Sequence, residues 1–112
     1  MAIKDFAQKV AADLPQEQYQ FDPTIIILIM EAIMQVVQTL MDNCNQTPAE
    51  LIQTAKNPGF LQKTVLKLRT RRAMGVRAYR ACGEEVVNSM IKVTANSDPD
   101  DIQAIYDEVD VF

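Results

Sequence analysis

The chain has 112 residues, a formal net charge of −4, and apolar and charged fractions of 48% and 23%, which excludes wholesale disorder and leaves room for one hydrophobic core. It contains no histidine, so a histidine-based nucleophile triad, imidazole acid–base chemistry and a histidine metal site are excluded. Two widely spaced cysteines, Cys44 and Cys82, make neither a CxxC pair nor a disulfide framework; they are read as reduced, buried thiols of a cytoplasmic protein.

Few glycines and many Ala, Leu, Met, Gln, Lys and Glu favour helix over sheet. Ile3, Phe6, Ala7, Val10, Ala11 and Leu14 fall on one helical face, with Lys4, Asp5, Gln8, Lys9 and Asp13 opposite. This opening lacks a basic stretch followed by an apolar run and a small-residue cleavage site, so secretion is not expected. Pro15 stops the helix and Gln16 to Phe21 reads as a linker. Asp22-Pro23 is a start signal, with Asp22 accepting from first-turn amides and Pro23 at the first helical position.

The helix that follows is the most apolar part of the chain, running from Ile25 to Met41. Glu31, Gln35, Gln38 and Asp42 form one polar stripe along it, and a carboxylate near a bilayer centre costs about 2.5 kcal/mol or more, which argues against a membrane span. The apolar arc is wider than one neighbouring layer needs, which predicts a central helix covered by copies of itself through Ile26, Ile29, Met30, Ile33, Met34 and Val37. A domain that just wraps it is the alternative.

Asn43 to Gln46 breaks the pattern, and Thr47-Pro48-Ala49-Glu50 presents a capping box opening a short helix over 48–56, ended by Asn57-Pro58-Gly59. From Phe60 to Thr94 the periodicity is helical, with Leu61, Val65, Leu68, Gly75, Tyr79, Cys82, Val86, Met90 and Val93 on one stripe. A long helix kinked or broken near Gly75 is expected, with a tight hairpin as the alternative. Asp98 or Ser97 caps a last helix that has Pro99 at its first position, with Ile102, Ile105, Val109 and Phe112 along one side. The fold expected is therefore all-α, a small bundle of about five helices. Residues 1–97 form the helical domain, and 98–112 an acidic amphipathic helix or arm.

Charge is segregated along this chain. No acid occurs between Glu50 and Glu84, while Lys56, Lys63, Lys67, Arg69, Arg71, Arg72, Arg77 and Arg80 supply eight of the eleven basic residues. Asp98, Asp100, Asp101, Asp107, Glu108 and Asp110 make the last helix wholly acidic. Cations without acids three or four positions away repel one another, so the basic stretch needs a counterpart outside its own helix. Arg72 projects onto the apolar stripe, where a guanidinium needs an acid or a carbonyl.

A sequence pI near 4.7, the absence of any nucleic-acid-binding motif and a single aromatic, Tyr79, among the arginines weigh against nucleic acid. Glu84 and Glu85 point in directions 100° apart on a helix and make no dyad. The aspartates after Ser97 lack the glycine and terminal glutamate of a calcium loop. No Gly-rich phosphate loop is present, and neither catalysis nor a cofactor is expected. The function expected is that of a non-enzymatic assembly or adaptor protein. It would self-associate through the apolar helix and dock its basic helix on an acidic surface, either a neighbouring copy or another subunit. A multi-copy particle or virion component fits this pattern in the cytoplasm or on the particle. A nucleic-acid-associated protein with a masking acidic tail, and a small membrane-associated protein, are the alternatives.

Overall fold

A computed structural model describes residues 2–15 and 22–111. The expected linker at 16–21, and Phe112 on the last helix, lie outside the described residues. Helix α1, Ala2–Ala12, buries the stripe that its sequence marks, Ile3, Phe6, Ala7, Val10 and Ala11. Leu14, just past its end, is also buried. Helix α2, Pro23–Thr39, starts as its sequence requires, with Asp22 Oδ1 accepting from the Thr24 amide at 2.9 Å.

Among the described helices, α2 packs chiefly against α1, α4 (Phe60–Met74) and α6 (Pro99–Val111). That wrapping overturns part of the expected self-association surface. Ile29 and Ile33 are 0% and 1% exposed, and Val37 is also buried, so these three belong to the chain's own core. Ile26, Met30 and Met34 pack against that core and are half-buried. Burying an isoleucine or valine is worth about 1.5–3 kcal/mol, and here the chain itself supplies the cover. Glu31, Gln38 and Asp42 are exposed along the polar stripe, as their spacing requires. By length and composition alone, Pro23–Cys44 is long and apolar enough to cross a membrane.

The α2 pattern does not stop at Met41. The backbone widens into a π-helical turn, Leu40–Cys44, and ends where Asn45 adopts a left-handed conformation at φ 49°, one of the few residue types that tolerates it. This turn carries Cys44 to the surface, so only Cys82 is the buried thiol expected of both.

Helix α3, Pro48–Lys56, opens with the complete capping box: Thr47 Oγ1 accepts from the Glu50 amide at 3.2 Å, and Glu50 Oε1 from the Thr47 amide at 3.1 Å. Helices α4 and α5, Val76–Ala95, are separated by a break at Gly75, whose φ of 86° and ψ of 157° suit glycine almost alone. Gly75 ends one helix by donating to the Arg71 carbonyl and starts the next by accepting from the Tyr79 amide. Helix α6 is a full member of the bundle, packed on α1, α2 and α3 and burying Ile102, Ile105, Tyr106 and Val109. At its start the Asp98 carbonyl accepts from the Asp101 and Ile102 amides, whereas the Ser97 hydroxyl turns back to the Val93 carbonyl.

Two polar links tie distant parts of the chain across the core. The Ser89 hydroxyl donates to the Val10 carbonyl at 2.9 Å, and the Ile3 amide donates to Glu108 Oε2 at 3.2 Å. The radius of gyration of 12.7 Å matches the roughly 13 Å of a single compact domain of this length.

Candidate functional site

The basic helix is where packing departs most from the sequence pattern. Only Thr70 and Met74 of α4 are buried, with Leu66, Arg69 and Ala73 half-buried beside them. At 100° per residue Leu66, Thr70, Ala73 and Met74 lie on one side, Leu61, Val65, Leu68 and Arg72 on the other, and Arg69 on the border next to Val65. Leu61 is 74% exposed, Leu68 58% and Val65 40%, and Phe60 at the start of the helix is 83% exposed.

The stripe expected to face inward along all of 60–94 therefore does so only in its second half, where Cys82, Val86 and Met90 are buried. The positive φ at Gly75 re-phases the chain, so the face that points inward in α5 is not continuous with the matching face in α4. Arg72 does sit on the apolar stripe, but that stripe faces solvent, so its guanidinium needs no buried partner.

Lys63, Lys67, Arg71, Arg72, Arg77 and Arg80 are exposed and Arg69 is half-buried. None of them forms an ion pair with another described residue. The one ion pair found among the described residues joins Lys92 of α5 to Asp13, just past the end of α1, at 3.1 Å, where solvent keeps its worth to a few tenths of a kcal/mol. Asp98, Asp100, Asp101, Asp107 and Asp110 are exposed and Glu108 is half-buried. Because α6 packs on α1, α2 and α3, the chain does not lay its acidic helix along its basic one.

A feature that sequence reasoning missed lies beside this face. Helix α3 leans on α5 and α6, while α4 leans on α2 and α5, which leaves a groove of about 260 Å³ between α3 and α4. Leu51, Thr54, Ala55 and Pro58 form one wall and Leu61, Gln62, Val65 and Leu66 the other, over a floor of core residues that includes Ile33, Val36, Val37, Ile102 and Ile105, with half-buried Ile91 beside them. At one end Gln46 donates to the Thr54 hydroxyl at 3.3 Å, and its Oε1 has no partner among the described residues. The sequence signal that could have found this groove is Phe60-Leu61, two large apolar residues directly after a Pro-Gly stop with no acid near them.

The titratable groups shifted here reflect burial and capping. The Thr47 amide and hydroxyl hydrogen bonds hold the Glu50 carboxyl below its ordinary value. Burial pushes up the Cys82 thiol, helped by nearby Glu85, and the Tyr106 phenol, helped by Glu50 and Cys44. Burial also raises Tyr79, with Glu84 adding to the rise and Arg71 opposing it. No group of three or more Cys, Asp or Glu gathers to hold a metal among the described residues. No protein-family model, curated protein or solved structure matches the chain.

Proposed function

We propose that this protein is a non-enzymatic adaptor or assembly module that docks the basic face between Lys63 and Arg80 on an acidic protein surface. The observation that carries this is the mixture on α4: exposed cations without acids in reach, interleaved with exposed Leu61, Val65 and Leu68. A merely solvated charged face carries acids at three- or four-residue spacing and few large apolar residues. A nucleic-acid groove stacks bases on aromatic rings, whereas Tyr79 lies over Gly83, so close that a Cβ there would strike its ring. Arginine is enriched in protein interfaces, and neighbouring large apolar side chains left exposed mark an interaction surface.

A neighbouring copy is one source of the acid, since the α6 carboxylates are exposed on a different part of the surface. In that arrangement contacts run head to tail and build a multi-copy assembly. The deciding measurement is a titration against a glutamate-rich polypeptide and against duplex DNA, with mass measured at low and high salt. The polypeptide should bind more tightly than DNA, and Lys67→Glu with Arg71→Glu should abolish that binding. Tighter binding to DNA would replace this function with a nucleic-acid one.

A further inference from the structure

The groove between α3 and α4 and the arginines of α4 form one continuous surface. Leu61 and Val65 belong to the groove wall, and the same side of the helix continues through Leu68 to Arg69 and Arg72. Val65 to Arg69 spans about 6 Å along the axis and Val65 to Arg72 about 10 Å, one and two helical turns. Apolar surface and cations thus follow each other at the spacing at which an α-helix repeats a face. Two helices flank a groove whose floor is the hydrophobic core, the geometry in which an amphipathic helix seats its apolar stripe.

We infer that this groove receives an amphipathic helix of a different protein, with apolar residues seated between α3 and α4 and carboxylates one and two turns further on, against Arg69 and Arg72. The inference rests on the docking function proposed above and names its partner more closely. Charge complementarity selects an acidic occupant, because no described acid neutralises these arginines. A small apolar molecule would leave Leu68, exposed beyond the groove, uncovered. The acidic helix of a second copy is a poor fit. That helix, α6, keeps Ile102, Ile105, Tyr106 and Val109 in its own core, and among its described residues only Val111, at its end, is a large apolar side chain left exposed, which does not make a stripe of anchors.

The test uses two labelled helical peptides that share leucines at i, i+4 and i+7. One carries glutamates one and two turns beyond the leucines, and the other carries lysines there. Anisotropy titrations compare the intact protein with Leu61→Ser and with Arg69→Glu/Arg72→Glu, after circular dichroism has shown both variants folded. The glutamate peptide should bind, and each variant should weaken it by about tenfold or more. The double variant should also make the lysine peptide the better ligand. Equal binding of both peptides by the intact protein would overturn the acidic specificity. Salt-sensitive binding of the glutamate peptide that ignores Leu61→Ser would overturn the groove while leaving the basic docking face standing. Binding of neither peptide, or preference for the lysine peptide, would overturn both. If the intact protein is an oligomer that Leu61→Ser converts to monomer, a second copy fills the groove and the different-protein occupant is overturned.

Discussion

Tyr106 brings a phenol into a core that gives its hydroxyl no partner among the described residues, and the consequence is a stability that depends on alkaline pH. Burial holds this phenol neutral above its ordinary value of 10.0, whereas the unfolded chain ionises at that ordinary value. The stabilising difference is therefore fully present below 10.0 and is lost as pH rises through the elevated value. Cys82, raised from 9.0, adds a decline of the same sign that begins earlier. Tyr106→Phe removes both the titration and an unpaired buried hydroxyl, so it should add about 1 kcal/mol at neutral pH. It should also flatten the alkaline decline to the part that Cys82 and Tyr79 leave. Urea denaturation of both proteins across the alkaline range checks this, and a Phe variant as pH-sensitive as the parent would contradict it.

At the scale of elements, two glycines in the α4–α5 region act by different means. Gly75 holds a positive φ with nothing within 4 Å of where a Cβ would stand, so Gly75→Ala should cost about 1–3 kcal/mol through backbone strain alone. Gly83 is helical, and its Cβ would strike the ring of Tyr79. Gly83→Ala should therefore be destabilising alone and rescued by Tyr79→Ala, whereas Gly75→Ala should not be. Denaturant titration of the four single and double variants separates the two causes. The same glycines mark how far the sequence could be read. The capping box at Thr47, the Asp22-Pro23 start and the break at Gly75 rest on residues within one turn of each other, so local pattern sufficed. The orientation of α4 depended on the phase change across Gly75, and periodicity carried straight through the break points the wrong way. The groove depended on α3 and α4 choosing different neighbours, a choice made by the whole bundle. The apolar arc of α2 was legible, but its cover was assigned to other copies because the reach of α1, α4 and α6 around it is a tertiary property.

For the whole molecule, the division of charge survives folding: cations spread over α4 and the start of α5, acids over α6, with the core between elements that do not pair them. Long-range attraction of this kind acts mainly on encounter rates and fades with salt. The acidic helix is nonetheless part of the core, so its removal does not simply unmask the basic face. A chain ending at residue 97 loses Ile102, Ile105, Tyr106 and Val109 from the interior. It should lose cooperative thermal unfolding altogether, which calorimetry or thermal circular dichroism reports directly. The hydrogen bond from the Ile3 amide to Glu108 has a related consequence during synthesis. Helix α1 can meet α2 soon after both leave the ribosome, but 105 residues separate that donor from its acceptor on α6. The part of the α1 apolar face that meets α5 and α6 must wait for them, so the nascent protein stays partly open to proteases and to chaperones until α6 is free of the exit tunnel.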